Sequence, residues 1–177
     1  MKRATLIFSA TVALQVAILV AIPAKNVLTH KTGTLVLLKT APVAPYSIIS
    51  GYYVILNYVI STPTDVSGWQ MDNKVKEIVY VILEPDPTDE LGSWKAVQVS
   101  RDLPTNLAPR QVAIKGHHQG RRIKFGIETY YIPESMRRTL ANKISKNIKD
   151  VRVAVKVSSS GDSALVGLKI GADTYNY

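Results

Sequence analysis

Glu128 is the carboxylate best placed to do chemistry, within the stretch FGIETYYIPE at 125–134. On a strand, alternation would put its side chain with Lys124, Gly126 and Tyr130. Burial would raise its pKa and make it a general acid. A salt bridge to Lys124 or another basic residue, or a hydrogen bond to a tyrosine hydroxyl, is the plainer use of the same group. Glycoside cleavage needs two carboxyl groups, and nothing in the sequence supplies the second. His117 and His118 are adjacent, so on a strand they point to opposite faces and cannot hold one metal together. His30 lies far off. There is no phosphate-binding loop, dinucleotide fingerprint or metalloprotease helix motif, and no cysteine. These residues point to no metal and no cofactor.

Charge is the other chemical signal. Residues 110–156 hold 12 Lys+Arg against 3 Asp+Glu, which equals the net charge of +9 of the whole chain. The excess includes Arg121, Arg122 and Lys124, then Arg137, Arg138, Lys143, Lys146 and Lys149. Such a patch suits anionic lipid headgroups, an acidic partner or nucleic acid. Tyr130 and Tyr131 form no recognisable nucleic-acid platform, and the N-terminal segment argues against nucleic acid as well. A solvated helix face is the bland alternative.

These residues need elements to hold them. A chain of 177 residues has room for one terminal segment and one domain of about 150 residues. Between Arg3 and Lys25 lie 21 residues without a charge. At about 1.5 Å each they span roughly 30 Å, the thickness of a bilayer's hydrocarbon core. A cleaved signal peptide is the rival, but its apolar stretch is shorter and ends in a small-x-small site. Here AIPAK offers Ile22 or Pro23 where a small residue is wanted. A buried core helix is a third reading. Residues 1–24 are therefore expected to be a transmembrane anchor in the cell membrane or another bacterial membrane. Lys2 and Arg3 favour the amino terminus inside and the domain outside, a bias that Lys25 and Lys31 weaken.

Residues 25–33 read as a polar connector and 34–177 as a mainly-β domain. Strands are expected at 34–43, 51–61, 74–85 and 93–100, with a loop over 62–73. Two more fall in 111–132 around a tight turn at His118–Gly120. The run SGYYVILNYVIS (50–61) is apolar on both sides, which predicts a central strand covered on both faces. Pro133 and Glu134 suit a helix start. Met136, Leu140, Ile144 and Ile148 would form its apolar stripe. A last hairpin, 150–157 and 164–170, alternates Val151, Val153, Val155 and Val157 with Arg152 and Lys156, which predicts one wet face. The remainder, GADTYNY, is a polar tail. The whole predicts an α+β, mainly-β domain, a β-barrel or β-sandwich with one amphipathic helix.

GYYVILNY (51–58) resembles Gly-Asp-Tyr-x-x-Leu-x-Tyr, the pattern naming the GDYXXLXY family of bacterial membrane proteins, through Gly51, Tyr53, Leu56 and Tyr58. FGIETYYIPE is similar to that family's Gly-Ile-Glu-x-Tyr-Phe-Val-Pro-Glu block through Gly126, Glu128, Tyr130, Pro133 and Glu134. The closing VRVAVKVSSSGDSALVGLKI resembles its final hairpin. Tyr52 stands where the family has Asp, so no role of that carboxylate carries over. The resemblance implies a membrane protein and no particular activity. APYSIISGYYVIL also faintly resembles the signal-peptidase pattern, in which a lysine activates a serine. Matching Pro45 puts Ala41 at the nucleophile, and Gly51 comes one residue late; Ser47 and Ser50 are ordinary turn residues. The expected function is a non-catalytic, membrane-anchored accessory or interaction protein beside another membrane protein. The alternative is a hydrolase with a signal-peptidase-like barrel and an unassigned site.

Overall fold

Glycine and proline punctuate this chain less than its composition suggests, and the first helix shows it. In the computed structural model, which describes residues 2–41, 49–50, 53–64, 66, 77–147, 150–171 and 173–176, α1 runs from Lys2 to Thr32 with Pro23 inside it. The expected connector at 25–33 is therefore helical almost to its end. Nothing from Asn26 to Thr32 breaks a helix, and the Thr29 and Thr32 hydroxyls donate to carbonyls one turn back, at Lys25 and Leu28. Gly33 ends the run. Its N–H donates to the Thr29 carbonyl at 2.9 Å. A Cβ there would sit 2.6 Å from that same oxygen.

The strands that follow are β1 (Thr34–Lys39), β2 (Ile49–Ser50), β3 (Tyr53–Ile55), β4 (Glu77–Pro85), β5 (Trp94–Ser100) and β6 (Val112–Gln119). Then come β7 (Arg122–Lys124), β8 (Thr129–Tyr131), α2 (Arg137–Lys146), β9 (Val151–Val157), β10 (Ser163–Ile170) and β11 (Asp173–Asn176). Among the described residues strand accounts for 41% against 29% helix, so the fold is mainly β. Among the described residues eight strands form one curled sheet, a half-barrel, in the order β11-β10-β9-β1-β5-β4-β6-β7. The β1–β5 pair is parallel. The other pairs in that sheet are antiparallel. A small second sheet has the order β2-β3-β8.

The hollow of the half-barrel is filled by alternate residues: Val36 and Leu38 of β1, Val79, Val81 and Leu83 of β4, and the four valines of β9. The small sheet, its flanking segments and α2 close it. Strand β3 is the middle one of that small sheet, but the reading of 51–61 as a strand covered on both faces is corrected. Among the described residues of that segment only Tyr53–Ile55 forms a strand. The chain then leaves β8 for β1, where Thr40 bridges Tyr58 and the Ala41 N–H donates to the Asn57 carbonyl at 2.7 Å. A 3-10 turn at Val59–Ser61 follows. Val54, Leu56, Tyr58 and Ile60 are buried, while Ile55 and Val59 are 38% and 47% exposed. The segment is a cover, wet on one side, because it crosses the open mouth of the curl.

Other boundaries moved for similar reasons. Pro133 and Glu134 begin a 3-10 turn and α2 starts later, at Arg137. Leu140 and Ile144 are buried, Met136 lies before the helix and is 37% exposed, and Ile148 falls outside the described residues. Gly126, at φ +80°, turns the chain after β7, so 111–132 gives three strands rather than two. The polar tail supplies β11. The expected loop 62–73 and the start of the strand at 74–76 lie mostly outside the described residues.

Candidate functional site

The two sequence blocks meet. With Gly126 in the left-handed region, where a side chain is disfavoured, the N–H groups of Phe125 and Gly126 converge on the Glu128 carboxylate at 2.5 and 2.9 Å. The Glu128 carbonyl accepts from the Leu56 N–H at 2.7 Å. Tyr58 donates its hydroxyl to the Ile127 carbonyl at 2.5 Å. Beside these bonds Tyr53, Val54 and Ile55 pair with Tyr131, Tyr130 and Thr129. The rings of Tyr53 and Tyr131 meet edge to face, with centroids 6.2 Å apart. One block thus fastens the other.

Glu128 also resets the alternation. Ile123, Phe125 and Ile127 are buried, then Tyr130 and Ile132, so the inward face shifts by one residue at the turn that Glu128 braces. This is why Tyr130 turns inward while Lys124 and Gly126 face out; no ion pair joins Glu128 to Lys124 among the described residues. Burial pushes the Tyr58 hydroxyl well above its ordinary pKa, and the nearby Glu128 charge adds to the shift. The carboxylate holds a loop, and the phenol holds that loop to the cover. Gly51 and Tyr52 lie outside the described residues, as does Ser47. Pro133 and Glu134 are exposed, with the Met136 N–H donating to the Pro133 carbonyl at 3.0 Å.

The basic residues divide. Arg121, Arg122 and Lys124 are exposed on the β6–β7 hairpin. On α2, Lys143 donates to Asp173 at 2.6 Å and stands over the Tyr175 ring; Asp173, then Tyr175, hold it in its charged form. Lys146 is exposed. Arg137 and Arg138 lie in the first turn of α2, and Lys149 is outside the described residues. His117 is exposed and His118 buried, its Nε2 donating to the Gly120 carbonyl at 2.7 Å. No group of three or more His, Asp or Glu converges on a metal position among the described residues.

Two features escaped the sequence reading. The first is on β9, whose expected wet face is covered: Arg152 is 2% exposed. Its guanidinium forks onto Asp89 at 2.7 and 3.2 Å, and Asp89 also accepts the Ser93 N–H at 2.9 Å. Arg152 holds the Asp89 carboxyl far below the usual carboxylate range. An arginine alternating with valines reads as solvated, and no local signal pairs it with a loop 63 residues away.

The second is the joint between α1 and the domain. Lys25 pairs with Asp162 at 3.0 Å, and Lys156 donates to the His30 carbonyl at 2.6 Å. Thr29 is buried. The last turns of α1 thus lie on the β9–β10 hairpin near its turn. A pocket of about 320 Å³ opens there, lined by Lys25, Asn26, Thr29, Lys115, His117 and Asp162 among others. A second of about 240 Å³ runs from Asn26 and His30 to Gly126 and Tyr131.

A half-barrel whose cover is fastened by the two blocks, docked on the end of one apolar helix, defines the class of protein. Residues 15–168 match the family described as GDYXXLXY protein, and the chain belongs to that family. No curated protein and no solved structure gives a match.

Proposed function

We propose that this protein is a non-catalytic accessory module, anchored in a bacterial membrane by α1, that presents its β domain to a neighbouring membrane protein. The observation that carries this reading is the contrast along α1. Thr5–Thr32 is long and apolar enough to cross a membrane, with a mean hydropathy of 2.3 and none of its most apolar stretch buried in the protein. Its last turns are nonetheless fastened to the β9–β10 hairpin by Lys25, His30 and their partners. The family match begins inside the apolar run, which supports a retained helix. A non-catalytic role is supported by Glu128, whose carboxylate is engaged by two backbone N–H groups. Lys2 and Arg3 favour an outer domain.

The expected result is that the full chain stays in the membrane pellet after an alkaline carbonate wash and keeps Lys2 at or near its start. A mature chain beginning near residue 25 in the soluble fraction overturns the anchor. Sidedness has a clean test because the chain has no cysteine. A Glu90→Cys variant, at an exposed turn, should react with a membrane-impermeant maleimide in intact cells or spheroplasts. Labelling only after lysis would reverse the orientation.

A further inference from the structure

The uncharged run of α1 ends at Ala24, so a helix that uses it to span a bilayer brings Lys25–Thr29 to the level of the headgroups. Lys25, Asn26 and Thr29 are one wall of the 320 Å³ pocket, and Lys115 and His117 of β6 help form the other. The size is that of a small-ligand site. The β6 wall is fixed in place by the Lys115 N–H, which donates to the Gly161 carbonyl in the β9–β10 turn at 2.8 Å.

The pocket is positive. Lys25 is matched by Asp162, whereas Lys115 makes no ion pair among the described residues. Two ammonium groups thus face one carboxylate. The charge continues outward along the hairpin, where Lys124 lies opposite His117 and Arg122 opposite Gln119. On another side of α1, Tyr131 is 59% exposed on the pocket wall it shares with Asn26 and His30. A half-wet tyrosine at that level suits the membrane–water interface. The other basic surface does not compete. Lys143 is engaged by Asp173, which pairs with Ile170 opposite Val151, at the end of the β9–β10 hairpin away from its turn. That end is seven residues, or roughly 20 Å, along β9 from the α1 joint.

We propose that the pocket between α1 and β6 binds the phosphate of an anionic phospholipid headgroup, with Lys115 and Lys25 as its charged contacts and His117 as a hydrogen-bonding one. The site rests on the anchored reading above, since only a spanning α1 brings it to headgroup level. It makes the domain responsive to the lipid around its anchor.

The test is equilibrium binding by the full chain in a mild neutral detergent, against dioctanoyl phosphatidylglycerol, dioctanoyl phosphatidylcholine and inorganic phosphate. Phosphatidylglycerol should bind, phosphatidylcholine much less, and inorganic phosphate should compete only weakly. Lys115→Gln should weaken phosphatidylglycerol about fivefold, since one basic side chain near an anionic lipid surface contributes about 1 kcal/mol. Lys115→Arg keeps the charge and should keep the affinity. Lys146→Gln, on α2, should leave it unchanged. Equal binding of the two lipids overturns the proposal. So does inorganic phosphate that binds as tightly as the lipid, which would make this a free-anion site. Full affinity in Lys115→Gln, or a loss in Lys146→Gln alone, moves the site elsewhere. A chain that washes out of the membrane fails the anchored reading. A chain that stays in the pellet without lipid selectivity fails this inference alone.

Discussion

Asp89 and Arg152 show how much a single buried pair decides. Their side chains are 11% and 3% exposed, so removing Asp89 takes the carboxylate away from a buried guanidinium. Asp89→Asn should lose about 3–5 kcal/mol of stability, read as a lower urea midpoint. Pairing it with Arg152→Met should recover much of the loss, because the buried guanidinium is then removed together with its carboxylate. The carboxyl's folded pKa lies below its unfolded value, which is near 3.9. Its contribution is therefore complete above about pH 4 and fades as pH falls toward the lower folded value. Wild type should lose stability between pH 5 and pH 3 more steeply than Asp89→Asn. Tyr58 gives the opposite sign. Its folded pKa is raised above the ordinary 10.0, so its contribution is complete below about pH 10 and is lost as pH rises beyond it. Tyr58→Phe leaves the Ile127 carbonyl without its donor and should cost about 1–3 kcal/mol at neutral pH. Part of the alkaline loss should disappear with it. Glu128 was visible as a chemical residue from sequence. Its role was not, because a carboxylate that braces a left-handed turn and one that donates a proton look alike in one dimension.

At the scale of elements, alternation was legible and pairing was not. Val54, Leu56, Tyr58 and Ile60 are the buried set that period two predicts. The same letters could not tell that the ladder ends at Ile55 and that the next residues are passed to β1. Sheet order is set by contacts between distant segments, so the parity of a segment survives where its partner is unknown. The tail 171–177 makes the same point: a polar sequence becomes β11 because β10 offers an edge. Leu56 is 3% exposed beneath the cover. Leu56→Ala should cost on the order of 2–5 kcal/mol, and Leu56→Asp should prevent folding by burying an unpaired carboxylate. A Leu56→Asp chain that unfolds cooperatively at the wild-type temperature would show that the cover is not part of the core.

For the whole molecule, the helix that sequence separates from its domain by a connector is continuous with it. The joint combines the exposed Lys25–Asp162 pair, worth at most about 1 kcal/mol, with the half-buried Lys156 bond to the His30 carbonyl. Lys156→Ala with Asp162→Asn should loosen it without unfolding the sheet. Trypsin should then cut after Lys25 or Lys31 faster than in the wild-type chain in the same micelles, with the domain's unfolding midpoint nearly unchanged. Equal cutting rates would mean that Thr29 and Gly33 alone hold the joint.

The position of β1 has a consequence in time. It sits between β5 and β9, but its register with β5 is the single pair Leu38–Trp94, whereas six pairs join it to β9. Val36 meets Val155 only after about 120 more residues have been made, a wait of about 6–24 s at 5–20 residues per second. Strand β4 pairs with both β5 and β6, all close in sequence, so these three are free to assemble meanwhile. A nascent chain therefore carries an apolar strand without its main partner through most of its synthesis. Such an edge invites pairing with other chains. The closing hairpin acts as a clasp, and a ribosome stalled before residue 151 would leave a bound chain with its sheet unsealed.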